Sequence, residues 1–109
     1  MAAAKCDVVR LAQIVDRCFD YAMDARLSQS RRTKFLVAGK RLRGSLLNLI
    51  AARFNETASL AAANARLDAV NTRLARQKEV IEQAATVLKD LGTLTGALDR
   101  LLATAILFV

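Results

Sequence analysis

The chain has no proline, no tryptophan and no histidine, and only four glycines, two cysteines and one tyrosine among its 109 residues. Without proline nothing obliges the hydrogen-bonded backbone to break, and four glycines leave few positions that demand a tight turn. Alanine, leucine, arginine, lysine, glutamine and glutamate, the strong helix formers, fill most of the remaining positions. The expected fold is therefore all-α, an antiparallel helical bundle of three to four helices in a single domain over residues 1–109. Disorder is excluded by an apolar content of 54%, because sparse hydrophobicity is what keeps chains unfolded.

The lack of histidine removes the usual general acid–base group at neutral pH. Carboxylates would need a partly desolvated cleft that a slender bundle does not offer, so no enzymatic activity is expected. Asp16, Asp20 and Asp24 repeat every four residues and chemically would suit Mg²⁺ or Ca²⁺, but evenly spaced aspartates on an exposed helix read as a solvated face. No metal site and no cofactor are expected. Cys6 and Cys18 fall on one expected helix about 18 Å apart, too far to bridge, and Cys6 has no base beside it while Cys18 joins the apolar face. A reduced, cytoplasmic setting is the simplest reading, which makes Asn55-Glu56-Thr57 a chance match to a glycosylation signal.

Long apolar runs are also missing. The first residues lead into a pattern interrupted by Asp7 and Arg10, so no secretory signal is expected. The stretch Leu101–Val109 is far shorter than the roughly 20 residues that span a bilayer, and it lacks the basic face of an interfacial anchor.

Apolar residues recur at three- and four-residue steps in four stretches, which places helices at about 5–27, 33–54, 57–91 and 93–108. In the first, Val8, Leu11, Ala12, Val15, Cys18, Phe19, Ala22 and Met23 make the apolar stripe. In the second, Phe35, Leu42, Leu46, Leu49 and Ile50 face inward, and the small residues Ala38, Gly44, Ser45, Ala51 and Ala52 form a strip that lets another backbone come close. Gly39 and Gly44 have the spacing of a phosphate-binding loop, but Ser45 stands where that motif requires lysine; close helix packing explains them better. Gly92 has the position of a helix stop, and Leu94, Leu98, Leu101, Leu102, Ala105, Ile106 and Val109 give the last helix a wide apolar face.

Charge is distributed unevenly. Arg26, Arg31, Arg32, Lys34, Lys40, Arg41, Arg43 and Arg53 lie in a segment with no acidic residue, while the rest of the chain is nearly neutral, so this segment accounts for the net charge of +7. Arg31, Arg32, Lys34, Lys40, Arg41 and Arg43 are the candidate anion or nucleic-acid contacts, since each cation that neutralises a phosphate releases counterions. Ser30–Lys34 is expected as a loop at a helix start, offering amides as well. The competing reading pairs these cations with Asp16, Asp20 and Asp24, within the chain or across subunits. An anionic membrane surface or an acidic protein are further alternatives.

The third stretch carries the clearest repeat, with Leu60, Leu67, Leu74, Ile81 and Leu88 at one heptad position and Ala63, Val70, Gln77, Ala84 and Leu91 three residues later. A helix of that length reaches about 50 Å and outruns its neighbours, which points to a dimer or tetramer. The expected interface is Leu60, Leu67, Val70, Leu74, Gln77, Ile81, Leu88 and Leu91, with Gln77 as a register-setting polar layer and a partner helix as an alternative occupant. The functional expectation is a non-catalytic oligomeric helical protein for protein–protein interaction or scaffolding; the alternative is a basic nucleic-acid-binding accessory protein.

Overall fold

A computed structural model describes residues 5–55 and 57–106. Within them the chain forms α1 (Val8–Ala22), α2 (Gln29–Leu49), α3 (Ala58–Leu74), α4 (Gln77–Glu82) and α5 (Ala84–Leu102). Residues 107 and 108 of the expected last helix, and Val109 of its apolar face, lie outside the described residues, as do residues 1–4 and Glu56.

Three helices begin where a short polar side chain takes up an otherwise unpaired amide. Asp7 Oδ1 accepts from the Arg10 N–H (3.1 Å), Ser28 Oγ from the Arg31 N–H (3.2 Å) and Thr57 Oγ1 from the Leu60 N–H (3.2 Å); a cap of this kind contributes about 1 kcal/mol. The Ser28 cap makes Ser30–Lys34 part of α2, where a loop was expected. At its other end α2 stops at Leu49 and not near residue 54. Phe54 is turned inward, 1% exposed, and the Arg53 carbonyl accepts from the Ile106 N–H at 2.7 Å, so the segment after α2 closes the base of the bundle instead of prolonging the helix.

Side-chain contacts fix the helix directions. Tyr21 packs on Phe35 with ring centroids 5.3 Å apart, and Gly39 lies against Cys18 and Phe19, so α1 and α2 run antiparallel. Arg73 bonds Asp90 at 2.5 Å while Arg66 lies near Ala97, so α3 and α5 are antiparallel too. Between the hairpins the order is parallel. The Asp7 N–H donates to Asn64 Oδ1 (2.8 Å) and the Tyr21 hydroxyl to the Leu74 carbonyl (2.6 Å), tying α1 to α3, and an Arg41 guanidinium N–H reaches Asp99 (3.2 Å), tying α2 to α5. Two hairpins thus lie side by side, like helix on like, with α1 across the diagonal from α5 and α2 from α3. Leu11, Ile14, Phe35, Leu42, Leu67, Leu91 and Leu98 meet in one core, each fully buried.

The single long helix expected over 57–91 is divided. α3 ends at Leu74, α4 runs for six residues, and α5 starts at Ala84. A straight rod would leave half its apolar seam uncovered, whereas the turn lays α5 back along α3. The turn also shifts the register: Val80, Ala84, Val87, Leu91 and Leu94 are buried, and Ile81 and Leu88 are only half-buried. Gly92 does not stop a helix; it sits inside α5, and no described residue has the left-handed φ that a glycine stop requires.

Glycines test this packing. A Cβ at Gly39 would lie 3.2 Å from Cys18 Cβ and 3.1 Å from the Phe19 ring, whereas at Gly44 and Gly92 it would meet nothing within 4 Å. Gly39→Val is expected to destabilise by about 1–3 kcal/mol through overpacking, and Gly44→Ala and Gly92→Ala to stabilise by about 0.5–1 kcal/mol each through helix propensity; urea denaturation gives all three values. Tyr21→Phe, which leaves a buried carbonyl without its donor, should cost about 1–3 kcal/mol in the same assay.

Candidate interaction surface

The basic segment folds almost entirely into α2, and a helix spreads successive side chains around its axis by roughly 100° per residue. Lys34 and Arg41 therefore face the groove between α2 and α5, which is floored by Ala38, Gly92 and Gly96. Arg32 lies on the other flank, in a hollow beside Ala22 and Leu36, and Arg43 follows it along that side, with Lys40 near the crest and exposed. Arg31 is exposed in the first turn, its backbone amide already taken by Ser28. The six candidates share one helix but do not converge on one anion.

Their expected acidic partners are mostly elsewhere. Of the three ladder aspartates, only Asp24 forms an ion pair among the described residues, with Arg26 at 2.6 Å. The Arg26 guanidinium and backbone N–H groups both donate to it, and together they hold the Asp24 carboxyl down at about 2. That depressed value means the pair supports the α1–α2 turn above the ordinary carboxylate range and lets go as pH falls from about 4 towards about 2. Asp16 and Asp20 are exposed and have no cation within 4 Å among the described residues. Arg41 pairs with Asp99 of α5 instead.

The heptad seam is used inside the chain. Leu60, Leu67, Val70, Leu74 and Leu91 are all buried in the monomer's core, covered by α1, α2 and the other member of their own hairpin. Gln77 opens α4, exposed, and its Oε1 lies 3.4 Å from an Arg26 guanidinium nitrogen. It flanks a turn and forms no layer in a continuous seam. Ile81 and Leu88 remain half-buried at the surface.

Of the large apolar side chains that do reach solvent, periodicity singles out two, Met23 and Ile50, and those as inward-facing. Val9 (67%), Met23 (84%), Leu36 (37%), Val37 (60%), Leu47 (65%) and Ile50 (48%) are exposed, all of them on the first hairpin or at its helix ends. Met23 and Ile50 were expected inside. Both are the residue that follows the last turn of a helix, Met23 after α1 and Ile50 after α2.

Cys6 precedes α1 and Cys18 lies within it; both are free and buried. Burial pushes the Cys6 thiol up to about 11 and the Cys18 thiol up to about 12. None of the described helices is long and apolar enough to cross a membrane. No family model, no curated protein and no solved structure matches the chain.

Thiolate, not thiol, is the nucleophile. A disulfide reagent at pH 8 should therefore find neither cysteine in the folded protein on the time scale of minutes, and both after guanidinium denaturation. A fast-reacting thiol in the native state would contradict the burial of Cys6 or Cys18.

Proposed function

We propose that this is a non-catalytic interaction or scaffolding protein that works as a homo-oligomer in a reduced, cytoplasmic setting. The observation that carries the reading is the concentration of exposed large apolar side chains on the α1–α2 hairpin. Leu36, Leu47 and Ile50 stand exposed on this hairpin beyond the stripe it buries against its own chain, and contact with another protein would remove their apolar surface from water. The seam of α3 and α5 serves the interior of the bundle, so the contact surface moves from the third helical stretch, where the heptads suggested it, to the first hairpin.

A second reading has its own support. Of Arg31, Arg32, Lys34, Lys40, Arg41 and Arg43, only Arg41 has an acidic partner within 4 Å among the described residues, so the positive charge of α2 is largely uncompensated inside the chain. A basic accessory protein bound to nucleic-acid phosphates would use that charge.

Light scattering coupled to size exclusion separates the two when absorbance at 260 and 280 nm is followed across the peak. With no Trp and a single Tyr, bound nucleic acid would dominate the spectrum. The first reading expects a mass of two or more chains without a 260 nm excess, persisting at low salt. A single-chain mass across the micromolar range overturns it, and a 260 nm excess that salt removes gives the second.

A further inference from the structure

Both helices of the first hairpin carry a second heptad stripe, distinct from the one that packs into the core. On α1 it runs Val9, Ala12, Asp16, Phe19, Met23, with steps of three and four residues; on α2 it runs Leu36, Lys40, Arg43, Leu47, Ile50, with steps of four and three. Val9, Asp16, Met23 and all five α2 residues are exposed, and Ala12 and Phe19 are half-buried. The two stripes have the same plan and opposite sign: apolar at both ends, acidic in the middle of α1 and basic in the middle of α2.

Their heights along the bundle match. The contacts of Tyr21 with Phe35 and of Phe19 with Gly39 put Asp16 level with Lys40 and Arg43, Val9 level with Leu47 and Ile50, and Met23 level with Leu36. Within the chain these levels do not become ion pairs, because Asp16 points away from α2 and no cation lies within 4 Å of it. With helix aligned on helix and the charged layers level, two copies can bring such faces together with two-fold symmetry in two ways. An axis across the helices sets α2 on α2 and confronts Lys40 and Arg43 with themselves. An axis along the helices sets α1 of each copy on α2 of the other, antiparallel and at unchanged height, so that Asp16 meets Lys40 and Arg43 twice over and the apolar ends meet each other. Only the second arrangement is electrostatically complementary, and like charges at an interface are what exclude the first.

We propose that the protein dimerises through the outer face of the α1–α2 hairpin, α1 against α2 of a second copy, with Asp16 and the Lys40–Arg43 pair forming a central charged layer that sets the register. This rests on the self-association reading above and names its surface. The core seam of α3 and α5 takes no part.

Sedimentation velocity on full-length chains tests it by charge exchange. D16K alone, and K40E/R43E alone, each place like charges at both ends of the symmetric layer, and each should weaken self-association at least tenfold. Mixed in equal amounts they should recover a one-to-one heterodimer, because one layer is then Lys on Glu and the other is native. L47D, which adds no exchangeable pair, should weaken association and not be rescued by either. All these positions are exposed, so melting curves by circular dichroism should stay close to the parent's. A parent that associates while both charge variants associate equally well, or two dissociated variants that stay apart on mixing, overturns this face and leaves the self-association reading standing. A parent that is a single chain at all concentrations overturns both.

Discussion

The fold depends on what happens between Leu74 and Ala84. An unbroken helix through this stretch would carry α5 away from α3 and leave both helix seams open to water. Arg73 stands at the point of return. Its guanidinium donates to Asp90 on α5 (2.5 Å) and to Gln83 before it (3.0 Å), and lies 3.7 Å from Glu79 on α4, so one side chain holds the outgoing helix, the turn and the returning helix. Exposed ion pairs contribute little, about 0–1 kcal/mol, but the Arg73 side chain is 27% exposed and its guanidinium donates to two acceptors while lying beside a second carboxylate. Val80 of α4, fully buried, anchors the turn from its apolar side. Closing this hairpin creates the surface on which α1 and α2 lie.

What the sequence made legible was the chemistry of each stretch, and what it hid was where stretches end. All-α architecture followed from composition, and most core positions of α1, α2 and α3 followed from periodicity, because Leu11, Val15, Phe35, Leu42, Leu60, Leu67 and Leu74 are large, apolar and regularly spaced. The long helix misled because Val80-Ile81 and Val87-Leu88 are adjacent apolar pairs. Either member of each pair satisfies a helical stripe, so a continuous heptad through Ile81 and Leu88 reads as well as the broken one through Val80 and Val87. Gly92 misled in the opposite sense: a glycine signals a stop only if the backbone needs positive φ there, which the residue type alone does not reveal. The start of α2 was hidden by Ser28, which reads equally as loop and as cap.

For the candidate surface the limits were similar. The crowding of cations between residues 26 and 53 was plain, and so was the aspartate ladder of α1. Their failure to neutralise each other was not, because it depends on the angle at which α1 and α2 meet. Gly39 lets Cys18 and Phe19 lie close against the α2 backbone, and Asp16 and Asp20, on the side of α1 away from its buried stripe, face outward. Opposite charges thus share a face of the molecule without touching.

The pairing of like helix with like also shapes how the chain is built. α1 and α2 are neighbours in sequence and can close on each other as soon as both have been made. The contacts that cover their inner side are distant, with Tyr21 and Leu74 separated by 53 residues and Arg41 and Asp99 by 58. During synthesis the first hairpin therefore waits, its core leucines uncovered, until α3 and α5 have emerged.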